Sequence, residues 1–122
     1  MVRKTALEKM WTDSLDVIVQ ERVVNTKNGR SEFVEKTLYH NIPCRLSFHT
    51  PSQAIRAARE QGDLTEIEQT VHLFLRADVV IPAGSKIVVY RNGAEMLFVR
   101  SGVPAIFDHH QELRVERFVR WA

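Results

Sequence analysis

The sequence has few of the features that mark secreted, disulfide-bonded or membrane proteins. Its 122 residues include a single cysteine, Cys44, which excludes an internal disulfide. No apolar run approaches the roughly 20 residues of a membrane span or the 7 to 15 of a signal-peptide core. We therefore expect a reduced, soluble, cytoplasmic protein that does not engage a membrane.

Charge of one sign is also scarce. Seventeen Lys and Arg against fifteen Asp and Glu give a formal net charge of +2, too small by itself to indicate a nucleic-acid or membrane surface. Hydrophobic residues make up 44% and charged residues 26%, which is ordinary globular composition and excludes intrinsic disorder. A chain of this length predicts one domain with one core.

Familiar catalytic motifs are absent from the sequence. It contains no glycine-rich phosphate loop, nucleophile elbow, H-E-x-x-H or paired-cysteine zinc motif. Cys44 lies between Ile42 and Leu46 on the apolar side of an alternating stretch, so we interpret it as a core residue rather than a nucleophile. We expect no enzyme activity, no catalytic residues and no cofactor.

The run 108–112, Asp-His-His-Gln-Glu, is the most metal-like part of the sequence. Its adjacent histidines, His109 and His110, would point to opposite faces of a strand and so could not easily share one ion. We interpret the run as a polar junction between a loop and a strand, and we expect no metal.

Period-two alternation runs through most of the chain and predicts β-strands. The first strand starts at Leu15, with Leu15, Val17, Val19 and Val23 facing inward and Asp16, Gln20 and Arg22 mostly outward. Tight turns are predicted at Asn28-Gly29 and Asn92-Gly93, and a further turn at 82–85. The remaining predicted strands cover about 32–40, 42–48, 67–76, 86–91, 94–100 and the segment after 111, where a helix is a weaker alternative.

Two segments have helical rather than β character. Thr5 and Glu8 form a capping box for a short helix over 5–11, whose apolar side would carry Leu7, Met10 and Trp11. A helix this short needs a surface to dock on, which is either its own domain or a neighbouring subunit.

The second helical segment, 49–65, interrupts the strands. Thr50, Pro51 and Gln53 suit a helix start, Gly62 suits its end, and Ile55 is the one sizeable apolar side chain between them. We expect such a weakly amphipathic insertion to be functional or mobile.

Together these patterns predict a mainly β fold: a small antiparallel barrel or sandwich of six to seven strands. Residues 1–14 would form a docking helix and arm. Residues 15–122 would form the single domain, with the insertion at 49–65 between central strands.

Several short motifs, in order, resemble those of small connector proteins of Gram-positive phages and prophages. They are Ile42-Pro43-Cys44-Arg45-Leu46-Ser47-Phe48, Gln69-Thr70-Val71-His72-Leu73-Phe74, Ile81-Pro82-Ala83-Gly84-Ser85-Lys86-Ile87, Ser101-Gly102-Val103-Pro104 and His110-Gln111-Glu112. The likeness covers roughly residues 10–122. The chain thus resembles the head-closure, or stopper, subunit of the head-to-tail connector of tailed bacteriophages, a family often labelled minor capsid or head-tail connector.

The resemblance implies a structural protein of the virion neck, assembled in the bacterial cytoplasm. In that family a β-barrel subunit forms a homo-oligomeric ring beneath portal and adaptor proteins, closes the channel after genome packaging and carries the tail proteins below. A long loop between two central strands forms the gate, and by position it matches 49–65. The resemblance therefore implies a channel segment that meets DNA without reading its sequence, with residues Thr50, Pro51, Gln53, Ile55, Arg56, Arg59 and Gly62.

Two other functions fit the same sequence. One is a tail-completion or terminator-type connector protein, which differs in its position in the particle. The other is a free-standing nucleic-acid-binding β-barrel, although the aromatic residues are scattered and the basic residues alternate with acidic ones. Arg56 and Arg59 are the residues that would face a polyanion in either case.

Overall fold

The structure is a computed structural model that describes residues 10–49 and 70–121. It contains seven strands: β1 (Asp13–Val24), β2 (Ser31–His49), β3 (Thr70–Leu75), β4 (Lys86–Arg91), β5 (Ala94–Arg100), β6 (Ala105–Ile106) and β7 (Gln111–Arg117). All pairings are antiparallel, in the order β3-β2-β1-β4-β5-β7-β6. Because β3 also pairs with β7, six strands form a continuous ring of hydrogen-bonded neighbours. The predicted mainly β, antiparallel class is confirmed.

The core fills the inside of this ring. Its side chains are aliphatic except for Cys44 and Phe98. They come from every strand except β6, with two more from the connection between β3 and β4. The completely or almost completely buried members are Leu15, Val17, Cys44, Leu46, Leu73, Leu75, Val79, Ile81, Ile87, Val89, Leu113 and Val115. Alternation therefore predicted correctly that Leu15, Val17, Ile42, Cys44 and Leu46 face inward.

The strand prediction was wrong for β2. Two strands, about 32–40 and 42–48, were expected, but one strand of 19 residues runs through both. Its pairing with β1 shifts twice: His40 and Asn41 together lie opposite Asp16, and Leu38 has no partner between the pairs Val17 with Tyr39 and Ile18 with Thr37. These β-bulges bend a continuous strand where the sequence suggested a break.

Near the ends of several strands, the observed burial of side chains differs from the predicted burial. The alternating pattern predicts that Val23 faces inward, and it predicts the same for Phe48, two residues after Leu46, and for Val119, four after Val115. All three are exposed, because each lies beyond the last residue of its strand that packs on the core. Asp16, expected outside, is buried. At the C-terminal segment, the strand prediction is confirmed by β7, and the helix alternative was wrong.

Glycine and asparagine set two of the turns. Asn92 and Gly93 both have positive φ, 50° and 80°, as the predicted two-residue hairpin between β4 and β5 requires. The hairpin between β1 and β2 differs from its prediction. Its loop spans 25–30, and Gly29 has positive φ whereas Asn28 accepts a hydrogen bond from the Arg30 amide.

Neither predicted helix can be compared in full with the structure. Most of the helix predicted over 5–11 lies outside the described residues, and the described part of it contains one 3₁₀ position at Met10 rather than an α-helix. The helical segment predicted within 49–65 lies outside the described residues from Thr50 onward. The described residues contain no helix long and apolar enough to cross a membrane.

Candidate interaction surface

The base of the predicted channel segment is described, although the segment itself is not. His49 ends β2 and Thr70 begins β3, and the two are paired across the ladder. The Thr70 hydroxyl also donates a hydrogen bond to the His49 carbonyl, at 3.2 Å. The chain therefore leaves and re-enters the sheet at one point. Seven predicted site residues lie outside the described ranges: Thr50, Pro51, Gln53, Ile55, Arg56, Arg59 and Gly62.

The residues predicted to dock on a partner are not equivalent. Leu7 lies outside the described residues, and Met10 is exposed. Trp11, in contrast, is 6% exposed. The docking role predicted for Leu7, Met10 and Trp11 therefore stays a prediction.

An ion pair between the buried Asp13 and the partly buried Arg91 lies near the base of the segment. The Arg91 guanidinium donates to the Asp13 carboxylate, at 2.9 Å for the shortest contact, and to the Leu46 carbonyl. The Leu46 amide donates to the same carboxylate at 3.0 Å. Burial opposes ionisation of Asp13, yet the bonds from Arg91 and Leu46 hold its pKa below its usual value. Asp13 thus joins β1 to both β2 and β4.

A second aspartate, Asp16, joins the same three strands three residues further along β1. Asp16 accepts hydrogen bonds from the His40 ring, the Asn41 amide and the Tyr90 hydroxyl, at 3.0, 2.8 and 3.1 Å. Burial, together with the bond to Asp16, raises the pKa of Tyr90. Because the bulge turns the Asn41 amide toward Asp16, with Asn41 at a φ of 54°, the carboxylate holds β2 in its bent course.

Cys44 is fully buried within the core cluster, which confirms the core interpretation. Burial raises the pKa of its thiol to about 12, and the neighbouring Asp13 charge adds to the effect. A thiol in this state is almost never ionised near neutral pH and so is not an active nucleophile.

The run 108–112 forms the junction between a loop and β7, as expected. His110 stacks on Phe107 with ring centroids 4.6 Å apart, and Gln111 is buried. The Gln111 side chain donates to the carbonyls of Arg76 and Val79, and so fastens the connection between β3 and β4. Within residues 10–49 and 70–121, no group of three or more potential ligands is placed to hold a metal ion.

The surface that sequence reasoning missed is a ribbon formed by the outer parts of β1 and β2, residues 19–24 and 31–37. β1 pairs with β4 only as far as Ile18, and β2 pairs with β3 only from Cys44. Beyond these points the two strands pair only with each other among the described residues. The ribbon therefore projects from the ring of strands, and no described residue pairs with either of its edges.

Apolar side chains are exposed toward the tip of this ribbon. Phe33 is 64% and Val24 58% exposed, and Val23 and Val34 are also exposed. One signal in the sequence could have revealed this: the apolar residues stand in adjacent pairs, Val23-Val24 and Phe33-Val34, so a strand places one of each pair on each face. A strand with one buried and one solvated face does not need apolar side chains on both faces.

The ribbon is fixed to the body of the protein at its base. Glu35 accepts hydrogen bonds on Oε1 from Lys86, at 2.6 Å, and from the Trp121 indole, at 3.2 Å. These bonds lower the pKa of Glu35. The Lys86 ammonium also lies 5.4 and 5.5 Å from the ring centroids of Phe118 and Trp121. The C-terminal residues therefore support one face of the ribbon near Gln20 and Glu35.

Comparison with known proteins yields one structural likeness to report. No protein-family model and no curated protein matches the sequence. Among solved structures, the chain is similar to the phage-like element PBSX protein xkdH from Bacillus subtilis, with a TM-score of 0.49 and 9% sequence identity. The likeness covers 85% of this chain and 91% of that one. A likeness of this extent does not assign a function.

Proposed function

We propose that this chain is a structural subunit of a phage head-tail connector, in which copies of a small closed β-barrel form a ring at the virion neck. The ring closes the portal channel after DNA packaging and offers the platform on which the tail attaches. Its neighbours are adaptor and portal proteins above, tail proteins below and non-specifically held DNA in the channel. The role needs no catalysis and no cofactor.

The observation that carries this proposal is the pairing of His49 with Thr70. Twenty residues, 50–69, are inserted between two strands whose ends are hydrogen-bonded neighbours, so the sheet does not need them to close. Loops of that length in a compact domain are usually functional. Their position is that of the gating loop in the connector family that the sequence resembles. We assign residues 49–65 to the channel on that basis.

The anchoring of the segment's base supports the same assignment. Leu46 is bonded through its amide and its carbonyl to the Asp13–Arg91 pair, three residues before His49. Arg91 also lies 5.9 Å from the Phe48 ring centroid. A gate that bears on DNA needs a base fixed to the rest of the subunit, and β2 is fixed here to both β1 and β4.

Leu7, Met10 and Trp11 would complete the subunit by docking on an adaptor or a neighbouring copy. Met10 is exposed, and Trp11 is 6% exposed. Residues 1–14 are then the docking helix and arm that reach the neighbour.

The proposal is tested in particles. In the phage or prophage that encodes the chain, a nonsense mutation early in this gene should give heads that package DNA, lose it and carry no tails, as measured by electron microscopy and nuclease protection. Supplying the wild-type chain should restore tailed, DNA-filled particles.

Other outcomes would contradict the head-closure role. Untailed heads that keep their DNA would instead indicate a tail-completion protein. A purified chain that stays monomeric and binds oligonucleotides with a steep dependence on salt would indicate a nucleic-acid-binding barrel.

A further inference from the structure

The open edges of the ribbon are its most distinctive feature. Over 19–24 the outer edge of β1, and over 31–37 the outer edge of β2, have no strand beside them among the described residues. Unpaired edges with exposed apolar side chains are templates for pairing with another chain. A two-stranded ribbon is also only marginally stable alone, so a neighbouring strand would stabilise it.

The ribbon has two different edges, which is what a closed ring requires. Where β1 runs along the ring axis, rotation about that axis keeps every β1 parallel to every other β1. The β2 edge of one copy would therefore lie beside the β1 edge of the next copy in antiparallel orientation, the orientation that β1 and β2 already have within one chain. Such a contact is heterologous, so it can repeat around a ring and close.

The charges on the two edges select one register. Side chains stay on their own faces only if the register changes in steps of two residues. The chain's own hairpin register, with Glu21 opposite Val34, would bring no opposite charges together between copies. Shifting this register by two residues in one direction would place Glu21 opposite Glu32, which brings like charges together. Shifting it by four residues in the other direction would place Glu21 opposite Leu38, which pairs a charge with an apolar side chain.

The remaining register is complementary along its length. Glu21 of one copy lies opposite Lys36 of the next, and Arg22 lies opposite Glu35. The same register places Val23 opposite Val34 and Val24 opposite Phe33, which covers the exposed apolar side chains of the tip. Opposite-charge and apolar cross-strand pairs both stabilise a sheet.

The existing contacts of these residues are compatible with this pairing. Both bonds that Glu35 accepts within the chain fall on Oε1, so its Oε2 is left to meet an arginine. Arg22 donates to the Ser31 hydroxyl at 2.8 Å through one terminal nitrogen, and the rest of its guanidinium can reach across.

We propose that neighbouring copies of this chain join through their ribbons, the β1 edge of one copy pairing with the β2 edge of the next so that Val23 faces Val34 and Glu21 faces Lys36. The inference rests on the proposed ring, and it names the surface that builds that ring. The partner is therefore a second copy of the chain rather than an adaptor, a tail protein or DNA.

Disulfide cross-linking of the full chain tests the register. Under mild oxidation, the double variant Val23→Cys with Val34→Cys should give a ladder of covalent dimers, trimers and larger species, because each copy offers one cysteine to each neighbour. The matched control is Val23→Cys with Glu32→Cys, a pair directly opposed within one hairpin, which should close inside the chain and give monomers. Cys44 can remain, since it is fully buried.

Charge reversal tests the same contact without new cysteines. Lys36→Glu alone and Glu21→Lys alone should each weaken self-association, on the order of fivefold per contact, because like charges then oppose each other. Mixing the two variants should restore association. Each contact of an alternating ring then joins either the two native side chains or the two substituted ones, and both combinations bring opposite charges together. Pairing within a chain cannot produce this rescue.

The outcomes separate this inference from the proposed function. A ring seen by electron microscopy without the 23-to-34 ladder would overturn the ribbon contact and leave the connector role standing. A ladder from a chain whose loss has no effect on particles would support the ribbon contact and refute the connector role. A chain that is monomeric at the highest attainable concentration and does not cross-link would overturn the ribbon contact.

Discussion

Asp13 and Asp16 show how single polar side chains shape this small β protein. Each sits on β1 and binds groups on both flanking strands, β2 and β4. Each is buried, so its position depends on having all of its partners. Removing a partner would leave a buried group unsatisfied, which costs more free energy than the bond itself contributes.

Asp13→Asn should lower the free energy of unfolding by about 3 kcal/mol at neutral pH, because it removes one member of a largely buried ion pair. The pKa of Asp13 is depressed in the folded state, so its contribution is present above the unfolded-state value of about 4 and is lost as pH falls through the folded value. The difference between wild type and variant should therefore shrink on acidification below about pH 4.

Urea denaturation at several pH values measures this effect. Asp78→Asn is the matched control, since Asp78 pairs with Arg76 on the surface and its loss should change stability by less than about 1 kcal/mol. A variant as stable as wild type at pH 7 would show that the Asp13–Arg91 pair does not hold the strands together.

Cys44→Ala should leave the protein folded and cost about 1 kcal/mol, as a small truncation in the core does. Because burial raises the thiol pKa to about 12, the native protein should react with a thiol reagent only on unfolding. Labelling with and without denaturant measures this. Rapid labelling of the native chain, or loss of all function in a folded Cys44→Ala variant, would contradict the core interpretation.

At the scale of elements, the hairpins show what the sequence could and could not predict. The pair Asn92-Gly93 predicted its turn correctly, because asparagine and glycine are the residues that most readily adopt the two positive φ angles of this turn. The continuity of β2 could not be predicted. His40 and Asn41 look like a break, and only the buried carboxylate of Asp16, 24 residues earlier, makes them a bulge. The ribbon could not be predicted either. A period of two in the apolar residues identifies a strand, but it does not show which face of that strand other parts of the protein cover.

The turn between β4 and β5 provides a test at this scale. Gly93→Val should destabilise the protein by about 1 to 2 kcal/mol, because a β-branched residue is strained at a φ of 80°. No atom lies within 4 Å of the position a Cβ would take, so the cost comes from the backbone rather than from a clash. Thermal unfolding measures it, with Asn92→Gly as the tolerated control. Equal melting temperatures for the two variants would contradict this account of the turn.

At the scale of the whole molecule, the paired strands and the predicted insertion occupy different parts of the chain. The strands that the structure describes pair with one another in a ring, and none of these pairings uses residues 50–69. Sequence reasoning predicted correctly that Leu15, Val17, Ile42, Cys44 and Leu46 face the core, whereas the insertion predicted from its capping residues lies outside the described residues from Thr50 onward. It could not specify the gating residues, because those depend on packing between copies.

Replacing residues 51–62 with a short Gly-Ser turn should leave a folded, ring-forming protein, since His49 and Thr70 are already neighbours. If the segment closes the channel, particles built with this variant should lose DNA, as measured by nuclease sensitivity. The variant Arg56→Ala with Arg59→Ala keeps the length of the segment and removes its two positive charges. It therefore separates the contribution of the segment's length from that of its charge. Particles that retain their genome despite the shortened segment would refute the gating role.

The length of β2 has a mechanical consequence. One strand of 19 residues, about 60 Å if fully extended, runs from the tip of the ribbon to the base of the insertion. A pull on the chain at His49, directed along this strand, would load the hydrogen bonds to β1 in shear, because antiparallel ladder bonds lie perpendicular to the strands. Bonds loaded in shear must yield together, whereas bonds that are peeled apart yield one at a time. The subunit is therefore built to resist tension along this axis far better than tension across it.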